Sequence, residues 1–115
     1  VYDDIMATRK IDWINNMWLT IAHHPPTLKR IWEGVKSVMK PGALDARTKE
    51  MIYVAVSITN NCEYCIHSHI ASARAKGMTD EMLGELLAVV GMANQTNRLA
   101  NGYQIPVDAQ FKPVV

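Results

Sequence analysis

Four breaks punctuate a chain whose apolar residues otherwise recur three and four positions apart: His23-His24-Pro25-Pro26, Pro41-Gly42, Gly77 and Asn101-Gly102. That spacing is the signature of helices that each bury one face. Residues 3–22 carry Ile5, Met6, Ile11, Trp13, Ile14, Met17, Trp18 and Ile21 in such a stripe, which predicts one helix ending at the prolines, because a residue before proline is pushed out of the helical region. A second helix starts near Pro26 or Thr27, where proline is tolerated in the first turn, and runs through Leu28, Ile31, Trp32, Val35 and Val38 to the Pro41-Gly42 break.

Asp45 suits the N-cap of a third helix, 46–59. Its second half, MIYVAVSI, is almost wholly apolar. A run this rich in Val and Ile also fits a strand, but no neighbouring segment offers a pairing partner, so helix is the better reading. A fourth helix spans about Cys62 to Lys76 and stops at Gly77. Thr79 or Asp80 caps a fifth, which runs to about Ala100 with Gly91 as a point of kinking or splitting. The tail QIPVDAQFKPVV has no helical period. The expectation is therefore an all-α single domain, 1–115, with no internal repeat and no linker.

Composition narrows the function. The net charge of +1, without a basic block, argues against a nucleic-acid partner. No run of 18 apolar residues is present, so no segment reads as a membrane span, and no signal-peptide pattern is visible. Seven Met and three Trp against one Phe suggest an adaptable core or an oligomer contact. Cys62 and Cys65 are the only cysteines, which does not make a disulfide-dense secreted scaffold. The expected location is the reducing cytoplasm, where a close cysteine pair is more often catalytic or metal-binding than structural.

The chemistry concentrates in NNCEYCIHSH, residues 60–69. With Cys62 opening a helix, about 100° per residue places Cys62, Cys65 and His69 within roughly 60° of one another, and His67 near the opposite side. Helix N-termini present unpaired N–H groups and partial positive charge, and both favour a thiolate. A nearby imidazole adds to this, and a second cysteine three residues away can capture an oxidised sulfur as a disulfide. This redox-active dithiol is favoured over two alternatives, a zinc site and an inert pair of core cysteines. Zinc would need a further ligand pair, yet there is no second CxxC, and His23 and His24 sit at a helix end where they suit terminal carbonyls. Upstream, Glu50 precedes the apolar run of the third helix. Composition alone favours a surface Glu50 beside Arg47 and Lys49, since glutamate is seldom buried without a partner.

Glu50, Cys62-Glu63-Tyr64-Cys65 and His69 together are similar to the glutamate, eleven residues, CxxC, three residues, histidine pattern of AhpD-like alkylhydroperoxidases in the carboxymuconolactone decarboxylase family. The approach IAHHPPTLKRIWE, the helix start LDARTKEMI and the last helix with Asn97-Arg98 extend the resemblance over roughly residues 19–105. Tyr64, where the best-studied type has histidine, looks like the peroxidase-related subgroup. The resemblance implies an AhpD-like all-α homo-oligomer with the CxxC at a helix N-terminus. It implies Cys65 as the peroxide-attacking thiol, Cys62 as the resolving thiol, and His69 with Glu50 as the proton relay, which brings Glu50 into the site. It further implies an antioxidant thiol-dependent peroxidase or disulfide reductase, with a hydroperoxide substrate, an external dithiol electron donor, and no bound cofactor or metal. Lactone decarboxylation is not implied, because that branch generally lacks the CxxC pair. A non-enzymatic redox sensor or binding module on the same scaffold, or a zinc-stabilised helical module, are the alternatives.

Overall fold

Residues in the left-handed backbone region close four of the six helices. A computed structural model describes residues 1–112, and among them every regular element is helical. The elements are α1 (Tyr2–Arg9), α2 (Asn16–Ile21), α3 (Pro25–Val38), α4 (Ala46–Thr59), α5 (Glu63–Ala75), α6 (Asp80–Gly102) and a 3₁₀ turn at Ala109–Phe111. Positive φ angles occur at Lys10, Asn61, Gly77 and Gln104, each just past the end of a helix. Behind each, a backbone N–H reaches a carbonyl five residues back: Ile11 to Met6, Cys62 to Ser57, Met78 to Ala73 and Ile105 to Ala100. This closure satisfies carbonyls that a helix end otherwise leaves unpaired. Gly77, at φ 100°, lies where a Cβ would be strained.

Helix starts follow the sequence more directly. Pro25 and Pro26 occupy the first turn of α3, and the Thr79 hydroxyl accepts the Met82 N–H at 3.1 Å to cap α6. The last three residues of the tail lie outside the described residues.

The chain divides into two compact units, Val1–Ala46 and the remainder from Arg47. In the first, Ile5, Trp18, Leu28 and Trp32 form the buried core, with Ile14, Ile21, Ala22, Ile31 and Val35 packed against it. Trp18 and Trp32 meet edge to face at 5.5 Å between ring centroids, the arrangement their quadrupoles favour. The Arg9 guanidinium lies over both rings, 5.6 and 5.5 Å from their centroids. Trp32 donates its indole N–H to Asp4 at 2.8 Å, and Lys36 approaches the same carboxylate oxygen at 2.6 Å. Those two hydrogen bonds, with Lys36 the larger influence, hold the Asp4 carboxyl below its ordinary range.

The single helix expected over 3–22 is in fact two. Lys10 turns left-handed and ends α1, and helix resumes only at Asn16. The stripe mixed two patterns: Ile5 and Trp18 do face one core, but Ile14 reaches it from the non-helical stretch between α1 and α2. The stripe is indeed partly core, through Trp18, whereas Trp13 stays exposed.

In the second unit Val54, Ala73, Met78 and Val90 are buried with two polar residues, Glu50 and Ser57. Ser57 turns its hydroxyl back onto the Tyr53 carbonyl at 2.7 Å, which satisfies it within α4. The apolar run of α4 is only partly buried: Val54 is enclosed, while Ile52 and Val56 remain about half exposed. Helix α6 runs through Gly91 without interruption and also presents Leu87, Val89, Met92 and Leu99 outward.

Trp32 fills the first unit's core and also supplies the Asp4 hydrogen bond. Trp32→Ala is expected to lower stability by about 3–5 kcal/mol, the usual cost of removing a large buried aromatic. Urea unfolding followed by circular dichroism measures it.

Candidate functional site

The turn between α4 and α5 builds the site. Thr59-Asn60-Asn61 ends α4, and Asn61 adopts φ 56°, a conformation asparagine tolerates better than most residues. Its closure places the Cys62 N–H on the Ser57 carbonyl at 3.0 Å and makes Cys62 the N-cap of α5. The Cys62 sulfur accepts the Cys65 N–H at 3.3 Å, one of the orphan donors of the helix start. Cys62 and Cys65 are joined as a disulfide, with Cα atoms 5.2 Å apart. Both cysteines are half-buried, and the expected CxxC at a helix N-terminus is in place.

One turn further along α5, His69 reaches α4. Its Nδ1 lies 2.7 Å from Glu50 Oε2, and the side chains are only 14% and 7% exposed. The second carboxylate oxygen, Oε1, accepts from Lys76 Nζ at 3.2 Å. Glu50 is thus buried, contrary to what composition alone favoured, because two basic side chains of α5 meet it. Burial pushes its carboxyl up. The His69 hydrogen bond and the Lys76 charge more than offset this and hold it below the usual 4.5. An ionised carboxylate only accepts hydrogen bonds, so Nδ1 carries the proton toward Glu50, and in the neutral form of the ring Nε2 is the acceptor. The opposite face of the picture is Tyr53, whose ring stacks on the imidazole at 3.7 Å between centroids and 20° between planes.

Sequence reasoning missed Lys76 and Tyr53. Tyr53 stands three residues after Glu50, and Lys76 seven after His69. Each is one helical turn or two from a residue already singled out, on the same helix, and that spacing was the available signal. The other candidates sit apart. His67 is exposed. His23 bonds the Thr20 carbonyl at 2.9 Å, and His24 meets the Thr27 hydroxyl at 2.7 Å. Arg74 is solvent-facing and paired with Asp80. Tyr64 is 40% exposed. Among the described residues no group of three or more His, Cys, Asp or Glu is arranged to hold a metal ion. None of the described helices is long and apolar enough to cross a membrane.

An all-helical scaffold that opens one helix with CxxC and, one turn along that helix, buries a histidine against a glutamate defines a class of dithiol proteins. The sequence model of the Carboxymuconolactone decarboxylase family matches residues 25–108, and the chain belongs to this family, in its AhpD-like form. Its fold is similar to the crystal structure of the alkylhydroperoxidase AhpD core from Rhodospirillum rubrum, with a TM-score of 0.93 and 57% identity over 96% of this chain and 82% of that one. "Uncharacterized protein 4 in cox locus" of Paracoccus denitrificans is 44% identical over 54 residues, 47% of this chain and 49% of its own length. The chain thus spans about half of that relative. "Uncharacterized protein H16_B0147" of Cupriavidus necator is 31% identical over 77 residues, 66% of this chain and 68% of its own.

Because Glu50 titrates lower in the folded chain than the 4.5 of a free side chain, the stability it contributes is complete above about pH 4.5 and drains away as pH falls through the folded value. Glu50→Gln is expected to cost about 1–3 kcal/mol at pH 7, since it leaves the largely buried His69 donor without its charged acceptor. It should also flatten the acid-side loss over that window. Denaturant unfolding of both proteins between pH 3 and 7 checks the two expectations together.

Proposed function

We propose that the chain is a thiol-dependent peroxidase, reducing hydroperoxides through Cys62 and Cys65. The observation that carries the reading is the disulfide-bonded pair at the start of α5 with His69 one turn on, hydrogen-bonded to buried Glu50. The similarity to an alkylhydroperoxidase AhpD core supports it.

In the reduced protein the Cys65 thiolate attacks the terminal oxygen of the hydroperoxide. The O–O bond breaks, Cys65 becomes a sulfenic acid, and the departing alkoxide takes a proton delivered by His69. Cys62 then gives up its thiol proton and attacks the sulfenic sulfur, and the expelled hydroxide takes up that proton and leaves as water, so the two thiols end as the disulfide. An external dithiol returns two electrons and restores both thiols. His69 Nε2 accepts the thiol proton at the start and gives it to the alkoxide, while Glu50 steadies the imidazolium formed between. Cys62 at the N-cap suits its part, because the helix terminus favours a thiolate at that position. No bound cofactor or metal enters the cycle. The cytoplasm, where thiols are kept reduced, suits this chemistry.

The reading includes assembly with further copies of the chain. Ile52 and Val56 on α4 and Leu87, Val89, Met92 and Leu99 on α6 are each about half exposed or more, and apolar surface of that kind marks association.

Consumption of an organic hydroperoxide by the reduced protein with a dithiol donor is the deciding assay. Cys65→Ser is expected to fall to the uncatalysed rate. Cys62→Ser should give one turnover and a trappable sulfenic acid. His69→Gln should lose about 100-fold, the scale of a positioned acid–base group. Full activity in Cys65→Ser overturns the assignment.

A further inference from the structure

A buried carboxylate has two oxygens to satisfy, and in this site they go to different side chains. Glu50 Oε2 takes His69 at 2.7 Å and Oε1 takes Lys76 at 3.2 Å. We propose that Lys76 is a positioning residue of the site: its ammonium holds Glu50 as a carboxylate, and the carboxylate in turn fixes His69 in the tautomer that leaves Nε2 free to accept a proton. The inference rests on the peroxidase reading for its consequence in turnover, but its physical content is separate and separately measurable.

A carboxylic acid can donate as well as accept. Facing Nδ1 across a short hydrogen bond, a neutral Glu50 would keep its proton and donate a hydrogen bond to that nitrogen. The neutral imidazole would then carry its own proton on Nε2, and the nitrogen available to a substrate or thiol would no longer accept one. Glu50 is 5% exposed, and burial alone favours this unproductive neutral form. A cation on the second oxygen opposes it continuously, whichever state His69 occupies during a cycle. His69 cannot do this for itself, because it is neutral whenever its Nε2 is ready to accept.

Other groups around the carboxylate do not fill the role. On α4, Arg47 stands one turn before Glu50, but its guanidinium lies toward Gly77, with Nη1 3.5 Å from where a Cβ on that glycine would stand. Tyr53, one turn after Glu50, stacks on the imidazole. It fixes the plane of the ring and leaves the proton position undetermined. On α5, the charged groups that meet Glu50 are His69 and Lys76. The Glu50 carboxyl does lie below its usual range, in the direction that Lys76 favours.

Lys76 also caps α5, where any cation is favourable near the helix C-terminus. The test must therefore separate that local role from action on Glu50. The side chain is 41% exposed, so neutral replacements leave no buried cavity. In reduced protein carrying carbon-13 in its glutamate carboxyls and nitrogen-15 in its histidine rings, NMR follows Glu50 and His69 against pH. In Lys76→Met and Lys76→Gln, the Glu50 midpoint is expected to rise by about one pH unit, with loss of the Nδ1–H form of His69 over the same range. Lys76→Arg should restore both. A purely helix-capping lysine would leave the Glu50 midpoint in place, and equal midpoints in wild type and the two neutral variants overturn the inference. Hydroperoxide consumption against pH is read in parallel. A wild type without turnover sinks the peroxidase reading, and the Glu50 titration still decides Lys76. If the wild type turns over and its acid limb coincides with that of Lys76→Met, Lys76 has no part in positioning the base, and the inference falls.

Discussion

One buried carboxylate organises the second unit. Among the described residues, Glu50 is the only ionisable side chain in the buried class, and a charge in that setting is tolerated only when its oxygens are matched. The matching groups come from the middle and the end of α5, so the pairing ties that helix to α4 at two levels. Removing either partner leaves part of a charge buried without compensation, which costs more than the pair itself contributes. The site and the packing of α4 against α5 are therefore one structural problem with one solution. The closure at Asn61 makes this geometry reachable, because it ends α4 and begins α5 within three residues.

Much of this was legible in the sequence, for reasons that are local. Pro25 and Pro26, Thr79 and Gly77 each act through the backbone of their own turn, and each marks a helix end in the structure. Helical phasing alone turned Cys62, Cys65 and His69 toward one face as an expectation, and the structure joins the two cysteines, with His69 one turn on. What failed to show depends on tertiary contacts. The 3–22 stripe concealed the Lys10 turn because Ile14 serves the core from outside any helix. Composition placed Glu50 at the surface among Arg47 and Lys49. Its burial depends on partners 19 and 26 residues away, and only the family pattern pointed inward. Lys76 sits near a helix stop and reads as an ordinary solvated lysine. Tyr53 lies inside an apolar run and reads as core.

The apolar run of α4 illustrates the same limit from the other side. An unbroken stretch such as MIYVAVSI announces burial without naming the partner. In the chain taken alone, Val54 is enclosed while Ile52 and Val56 face outward. Helical geometry requires this, since residues two apart on a helix lie on nearly opposite sides. One face of α4 thus supports Glu50 and Tyr53 from within, and the other leaves Ile52 and Val56 as exposed apolar surface.

The order of groups along α5 matches the field of the helix itself. Its N-terminus bears partial positive charge and holds Cys62, whose sulfur already accepts the Cys65 N–H. Its C-terminus bears partial negative charge and holds Lys76. A thiolate at one end and an ammonium at the other are each favoured where they stand, and His69 lies between them on the same helix. Reversing the arrangement would set a cation against the N-terminal dipole and a thiolate against the C-terminal carbonyls. The single acidic group the site needs cannot be favoured by that field at mid-helix, and it comes instead from α4. A helix of 13 residues with its two caps thereby carries both sulfurs, the imidazole and the ammonium, and borrows only the carboxylate that joins the last two.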